Sequence, residues 1–441
     1  MKNRRLLLTL LTAAAACLPA VAQNGFNMPF SQFGIGLNER YQPAFAGMGG
    51  TAFTRGGTNY LNPYNPASFA AVQTESFVFD FGMNIQSSVL RRNADRLSDA
   101  DGNVGYLMVA FPLFKWWKTS IGLMPYSTVN YESVQTAPDP LTGDDVKTLF
   151  SGDGGVSQFY WGNGFNIGKR LALGFSLNYL YGKITRAVSY DFVYSDSLFT
   201  QDSRRQKTSS VSNLLIDLGA QYRQPIGERY TLAFGLTMRL PRPSMRLKEQ
   251  SLIYTYYAQG TSEYLCDTVF PQPGEDGKYV STLSQPLKVG LGVALERNNR
   301  WEVDLDGSYA PYSGIGYEEN PNCRVFGGNS VVRAANWRGA LGGEWKGDVD
   351  AASYWGRIGV RAGLFYERAR LALEIDNATT LFNERGLGMG LVFPMRRGRS
   401  ALTLSFTYSC LGRRDLLRRD LFTVGIALGS NEHWFAKRKY N

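Results

Sequence analysis

The stretch Leu287-Lys288-Val289-Gly290-Leu291-Gly292-Val293-Ala294-Leu295-Glu296 decides the fold. Large aliphatic residues hold every odd position, and Lys, Gly, Ala and Glu hold the even ones. Period two is what a strand shows when its two faces meet different media. After a turn at Arg297–Asn299 the pattern returns, with Trp301, Val303, Leu305 and Tyr309 alternating with Glu302, Asp304, Asp306 and Ser308. Together the two runs form a hairpin with one wholly apolar face. The other face mixes glycine with charge. A soluble sandwich would also alternate, but a face rich in Gly, Ala and Ser suits the crowded lumen of a barrel. The continuous apolar face suits lipid.

The same reading extends along the chain. Alternation is clear at Leu171–Tyr179, Leu402–Tyr408 and Phe422–Leu428. Fourteen strands are expected near 75–90, 102–114, 118–131, 153–167, 170–190, 209–224, 228–247, 284–297, 300–313, 333–346, 353–367, 384–395, 399–411 and 418–430. Gaps on one side are short: 115–117, 168–169, 225–227, 297–299, 347–352 and 396–398. Those on the other side are mostly long: 132–152, 191–208, 248–283, 314–332 and 368–383. Short turns on one side and long loops on the other mark a transmembrane antiparallel β-barrel, and an even strand count puts both chain ends in the periplasm. Trp116, Trp117, Trp301, Trp345 and Trp355 gather at the short-turn ends, and Trp434 follows the last strand on that side. Indole favours the membrane–water interface.

The N-terminus sets the compartment. Lys2, Arg4 and Arg5 precede an apolar stretch from Leu6 to Ala16, and Ala20-Val21-Ala22 reads as a cleavage site, so 1–22 is a signal peptide. A lipoprotein cut before Cys17 is the competing reading; Ala14-Ala15-Ala16 makes a poor lipobox for it. No later apolar run is long enough to span a membrane as a helix. The expected organisation is a signal peptide, an N-terminal luminal hatch at 23–74, a barrel at 75–430 and a periplasmic tail at 431–441, in the outer membrane of a Gram-negative cell. Outer-membrane lipid is then the surrounding partner, and a monomer is expected.

The formal charge is +10, and +7 without Lys2, Arg4 and Arg5. These positive residues scatter through turns, which points to solvated surface and away from nucleic acid. The single histidine, His433, stands beyond the expected wall, so a Ser-His catalytic pair has no histidine there. No His, Cys or carboxylate set has metal spacing. The chain is therefore read as no enzyme, with no cofactor and no metal. Cys266 and Cys323 fall in long outer loops where a disulfide could form, and Cys410 falls in a strand.

Residues 23–74 do not alternate. They contain Ala44-Phe45-Ala46-Gly47-Met48-Gly49-Gly50-Thr51-Ala52, then Asn65-Pro66-Ala67-Ser68-Phe69. Pro286 to Gly292 ahead of an Asn-x-Arg turn, and Met124-Pro125-Tyr126 in the third strand, complete a pattern that spans the mature chain. It resembles the FadL-type outer-membrane transporters of long-chain fatty acids and other hydrophobic compounds. The resemblance implies that 44–52 and Asn65-Pro66-Ala67 lie in a hatch plugging the barrel, and that Pro125 marks an interruption of the third strand, the family's lateral exit. The tail, with Trp434-Phe435 and Lys437-Arg438-Lys439, departs from classical barrels. It suggests Bacteroidetes-like relatives, some of which act as shuttle barrels for a secretion system.

Each of these residues also has a plainer role. Gly47, Gly49 and Gly50 allow plug packing, or form a hinge. Asn65, Pro66 and Ala67 fix a turn, with Pro66 setting φ. Pro125 cannot donate to a ladder, so it marks a bulge or a gate. Strand 102–114 is apolar on both faces, Tyr106 and Met108 on one and Leu107, Val109 and Phe111 on the other; one set must point inward, against the hatch or against a ligand. Leu107, Val109 and Phe111, with Phe45, Phe53 and Phe69 from the hatch, are the candidate ligand wall. Lys288, Glu302, Asp304, Asp306, Arg357 and Arg361 are read as inward charges that brace the lumen, with Arg357 or Arg361 as an alternative holder of a ligand carboxylate. Passive uptake of a hydrophobic small molecule of the long-chain fatty acid kind, with movement of the hatch and a lateral exit, is the leading function. A partner-binding barrel serving secreted proteins or periplasmic machinery, and a polar diffusion porin, are the alternatives.

Overall fold

A computed structural model describes residues 42–433 apart from 93–94, 139–142, 144, 193–199, 260–261, 270–277, 298–299, 312–316, 319–330, 334, 349, 369–370, 376–377, 382, 396–398 and 414–417. The signal peptide, Cys323 and Trp434 lie outside the described residues, so the Cys266–Cys323 disulfide does too.

Fourteen antiparallel strands close into one barrel. They are β1 (Ser76–Arg92), β2 (Asp95–Pro112), β3 (Trp117–Pro138), β4 (Asp145–Ile167), β5 (Leu171–Phe192), β6 (Thr200–Ile226), β7 (Tyr230–Arg239 continued by Arg242–Gln259), β8 (Lys278–Gln285 continued by Lys288–Arg297), β9 (Trp301–Ala310), β10 (Asn336–Trp345), β11 (Gly359–Glu367), β12 (Glu384–Met395), β13 (Ser400–Gly412) and β14 (Arg418–His433). Each pairs with the next, and β14 pairs with β1 from Ser76↔His433 to Arg91↔Arg418, which removes the sheet edge. The breaks inside β7 and β8 fall beside Pro241 and at Pro286, which have no N–H for the ladder.

Facing is as the alternation requires. Leu305, Leu341, Leu364 and Leu387 pair across β9 to β12 and are exposed on the outer face. Their neighbours Asp304, Asp306, Glu344 and Arg361 are buried inside. No described helix is long and apolar enough to cross a membrane.

Several boundaries differ from expectation. Segments 132–152, 191–208 and 248–283, expected as loops, are largely continued strand in β3, β4, β6, β7 and β8. Above the membrane both strand faces become polar in places, so period two fades while the ladder continues. Tyr126, Val129, Val156, Leu180, Ile184, Leu215, Met245 and Leu283 pack as an apolar core inside β3 to β8. On the opposite rim β11 begins at Gly359, not 353. Tyr354–Arg357 is instead a 3-10 turn, in which Tyr354 falls in phase with the apolar series of β11. His433 ends β14 opposite Ser76, so it belongs to the wall rather than to the tail.

Candidate functional site

The lumen is occupied by the chain's own residues 42–72. Gln42 opens a one-turn helix α1 (Pro43–Ala46), with Pro43 at the first position, where its missing N–H costs nothing. Gly47 to Gly50 then turn the chain back. Gly49 and Gly50 have φ of 65° and 79°, the left-handed region. A Cβ on Gly49 would stand 2.6 Å from the Leu364 carbonyl oxygen. The segment ends in a 3-10 turn, Pro66–Ala71. Asn65 caps it, its side chain accepting from Ala67 N at 3.1 Å and donating to Phe53 O at 2.6 Å.

This plug reaches every strand of the wall. Leu61 N donates to Asp80 of β1, and the Gln42 amide reaches Leu61 O and the Met108 sulfur of β2. The Pro66–Ala71 turn rests on β3 to β6. Phe53 and Thr54 cover Gly235 of β7 and Gly290 and Gly292 of β8. Asp304 and Asp306 of β9, Arg338 of β10 and Arg361 of β11 bond to it directly. Helix α1 lies against β12, β13 and β14. The inward glycines have a shared reason. At Gly342, Gly363 and Gly388 plug backbone occupies the space a Cβ would take. Backbone packed against backbone leaves little room for a solute to pass between plug and wall.

Arg55 is the electrostatic centre. It is 2% exposed and lies 3.5 Å from Asp304 and 4.0 Å from Glu302, with Glu344 in direct contact. Burial works against its charge, but the surrounding acids, Glu302 foremost, raise its pKa above the ordinary arginine value. Arg361 bridges Glu344 at 2.8 Å and donates to Ala44 O at 2.9 Å. Asp306 accepts from Ala52 N at 2.6 Å and Phe53 N at 2.9 Å, and Thr54 donates to Asp304 at 2.6 Å. Lys346 completes the set with Glu296 and Glu302. Sequence reasoning missed Arg55. The signal was present, because Arg55 is the one charged residue between Tyr41 and Thr74, and a lone charge in a plug needs partners on the wall.

The wall is unequal on its other side. β2 and β3 share a register over six positions only, from Leu107↔Leu123 to Pro112↔Lys118. β2 goes on pairing with β1 up to Asp95, and β3 with β4 up to Pro138. The parting comes just before Met124-Pro125, and the β3–β4 register itself shifts between Pro125 and Ser127. A cavity of about 70 Å³ lies there. Phe53, Tyr64, Met124, Pro125, Tyr126 and Met238 make its apolar side, and Gln158, Asp217, Arg239 and Lys288 its polar side. Arg239 pairs with Asp217 at 2.7 Å.

The remaining candidates are distributed differently from expectation. Phe53 lines this cavity. Phe45 is buried within the plug, edge-on to Tyr60 and Tyr64, and Phe69 stacks on Tyr160 with centroids 5.9 Å apart. Leu107, Val109 and Phe111 do not form an inner ligand wall. Tyr106, Met108 and Ala110 are the buried, inward set packed on the plug, and alternation turns the other three outward. Arg357 is no luminal charge either. It sits in the rim turn, donating to Ala351 O. Arg361 is luminal, and Glu344 and Ala44 occupy it as a brace.

A closed fourteen-stranded barrel carrying its own N-terminal plug is the FadL-like class of Gram-negative outer-membrane proteins. Three solved structures share the fold. The CymD monoaromatic hydrocarbon channel aligns at 11% identity and TM-score 0.56, covering 91% of this chain and 100% of its own. The P. putida toluene transporter TodX aligns at 13% and 0.53, covering 90% and 100%. A Pseudomonas aeruginosa FadL homologue aligns at 13% and 0.53, covering 89% and 98%. Such identities speak for fold alone. Within that class the chain belongs to the BamG family, which it matches over residues 3–441. No curated protein matches it.

Proposed function

We propose that this barrel passes small hydrophobic molecules through its wall, between β2 and β3, while the plug stays seated. The parting of β2 from β3 beside the Phe53–Pro125 cavity carries this reading. An apolar molecule entering there meets Met124, Tyr126 and Met238 and reaches lipid without crossing water. The cavity is small, with room for roughly five waters at about 10–15 Å³ each. A larger cargo must therefore widen the parting, where few ladder bonds resist it. Uptake of an apolar fluorophore, N-phenyl-1-naphthylamine, by cells making the protein tests this. Pro125→Val, which restores a backbone donor, is expected to slow uptake several-fold with barrel assembly unchanged. Equal uptake by parent and variant would overturn the route.

A second reading is a partner-binding barrel in a larger outer-membrane assembly. The braced plug favours it, since a component that docks proteins needs a rigid, sealed body. The BamG family matches the whole chain, while the hydrocarbon channels share only its fold. Under this reading cells lacking the protein take up the fluorophore normally. A polar diffusion porin accords poorly with a plug that meets all fourteen strands.

A further inference from the structure

The rim that carries both ends of the barrel sequence has six turns. Five of them, 113–116, 168–170, 227–229, 298–300 and 396–399, join strands with three or four residues. The sixth, 346–358 between β10 and β11, takes thirteen. It is built rather than slack. Asp348 N donates to Gly356 O at 3.0 Å, Ala351 N to Asp348 O at 3.0 Å, and the Arg357 side chain to Ala351 O at 2.8 Å. Gly347 lies so close to the Arg357 backbone that no Cβ would fit.

The tip of this finger holds Tyr354 and Trp355 in the open, with Trp355 80% exposed. The fully exposed charges of the finger are Asp348 and Asp350, with no ion pair among the described residues; Lys346 is turned to Glu296 and Glu302, and the half-buried Arg357 is folded back on Ala351 O. The five short turns are the opposite. They carry Lys115, Lys169, Arg170, Arg229, Arg300 and a run of three arginines at 396, 397 and 399, against the single acid Glu228. Basic turns suit a membrane surface bearing anionic lipid. Two exposed aspartates do not, so attraction to anionic lipid accounts for the five turns and not for the exposed charge of the sixth.

We propose that the 346–358 finger is a docking site for a periplasmic protein, presenting Trp355 to a socket surrounded by basic residues. Tryptophan on a preformed support is the kind of residue that dominates an interface, because little ordering is lost when it binds. Asp348 and Asp350 supply the charge that selects a basic surface and repels anionic lipid. This goes beyond the wall route for hydrophobic molecules and is independent of it.

The test is photo-crosslinking in intact cells, with benzoylphenylalanine replacing Tyr354 in the full chain. The expected result is one protein adduct whose crosslinked region is rich in Lys or Arg. Its yield should fall at least tenfold in Asp348→Asn/Asp350→Asn and in Trp355→Ala. Asp350→Lys should restore it when a mapped partner lysine is changed to Glu. Heat-modifiable gel migration verifies that each variant is an assembled barrel. Adducts to lipid alone, no adduct, or a protein adduct indifferent to the two aspartates would each overturn the proposal. None of those results bears on fluorophore uptake.

Discussion

The two sides of the lumen are built on opposite principles. From β9 to β12, plug and wall are joined by buried charge and by backbone seated on glycine, with Arg55, Asp304, Asp306, Glu344 and Arg361 at the centre. At β2 and β3 the wall's own hydrogen bonding stops after six positions, and a cavity opens beside Pro125. The first side resists any movement of the plug, and the second concentrates compliance in the wall. The difference teaches that a plugged barrel need not move its plug to have a place that yields.

The comparison breaks most readily at Arg55. Arg55→Met leaves Glu302, Asp304 and Glu344 facing one another in a buried site, and removing one member of such a set costs about 3–5 kcal/mol. Urea unfolding followed by heat-modifiable migration should show that loss, and a change below about 1 kcal/mol would mean the plug is held elsewhere. Gly49→Val should come next. Its φ of 65° and the Leu364 carbonyl 2.6 Å from the new Cβ combine strain and clash, worth about 2–3 kcal/mol. Hydrogen exchange at residues 44–54 should rise in that variant, and unaltered protection would separate the turn from plug seating. Asp306→Asn keeps the shape but removes the charge that accepts from Ala52 and Phe53, for a loss of about 1.5 kcal/mol. The smallest effect on stability belongs to the yielding side. Pro125→Val should shift unfolding by no more than about 1 kcal/mol, and a larger shift would make Pro125 part of the brace.

Much of this was legible in the sequence, for reasons that also mark the limits. Alternation at Leu287–Glu296 and Trp301–Tyr309 reports lipid on one side and lumen on the other, so strand number and order follow from it. Where β3 to β8 rise beyond the membrane that contrast weakens, and continued strand looks like loop. The face of β2 could not be chosen because both faces are apolar; the plug lying against Tyr106 and Met108 decides it. Tyr354 is in phase with the apolar residues of β11 but lies in a turn. Arg361 was legible as an inward charge, but its partner across the lumen, Arg55 by way of Glu344, lies some three hundred residues away, and no local pattern reports such a distance.

The plug precedes every wall strand in the chain, and the ring is closed where Arg418–His433 pairs with Ser76–Arg91. Because inward glycines at Gly342, Gly363 and Gly388 are filled by plug backbone, an empty ring would enclose voids where its tightest contacts belong. The N-terminal segment is thus the mandrel around which the ring fits, and neither part is well packed without the other.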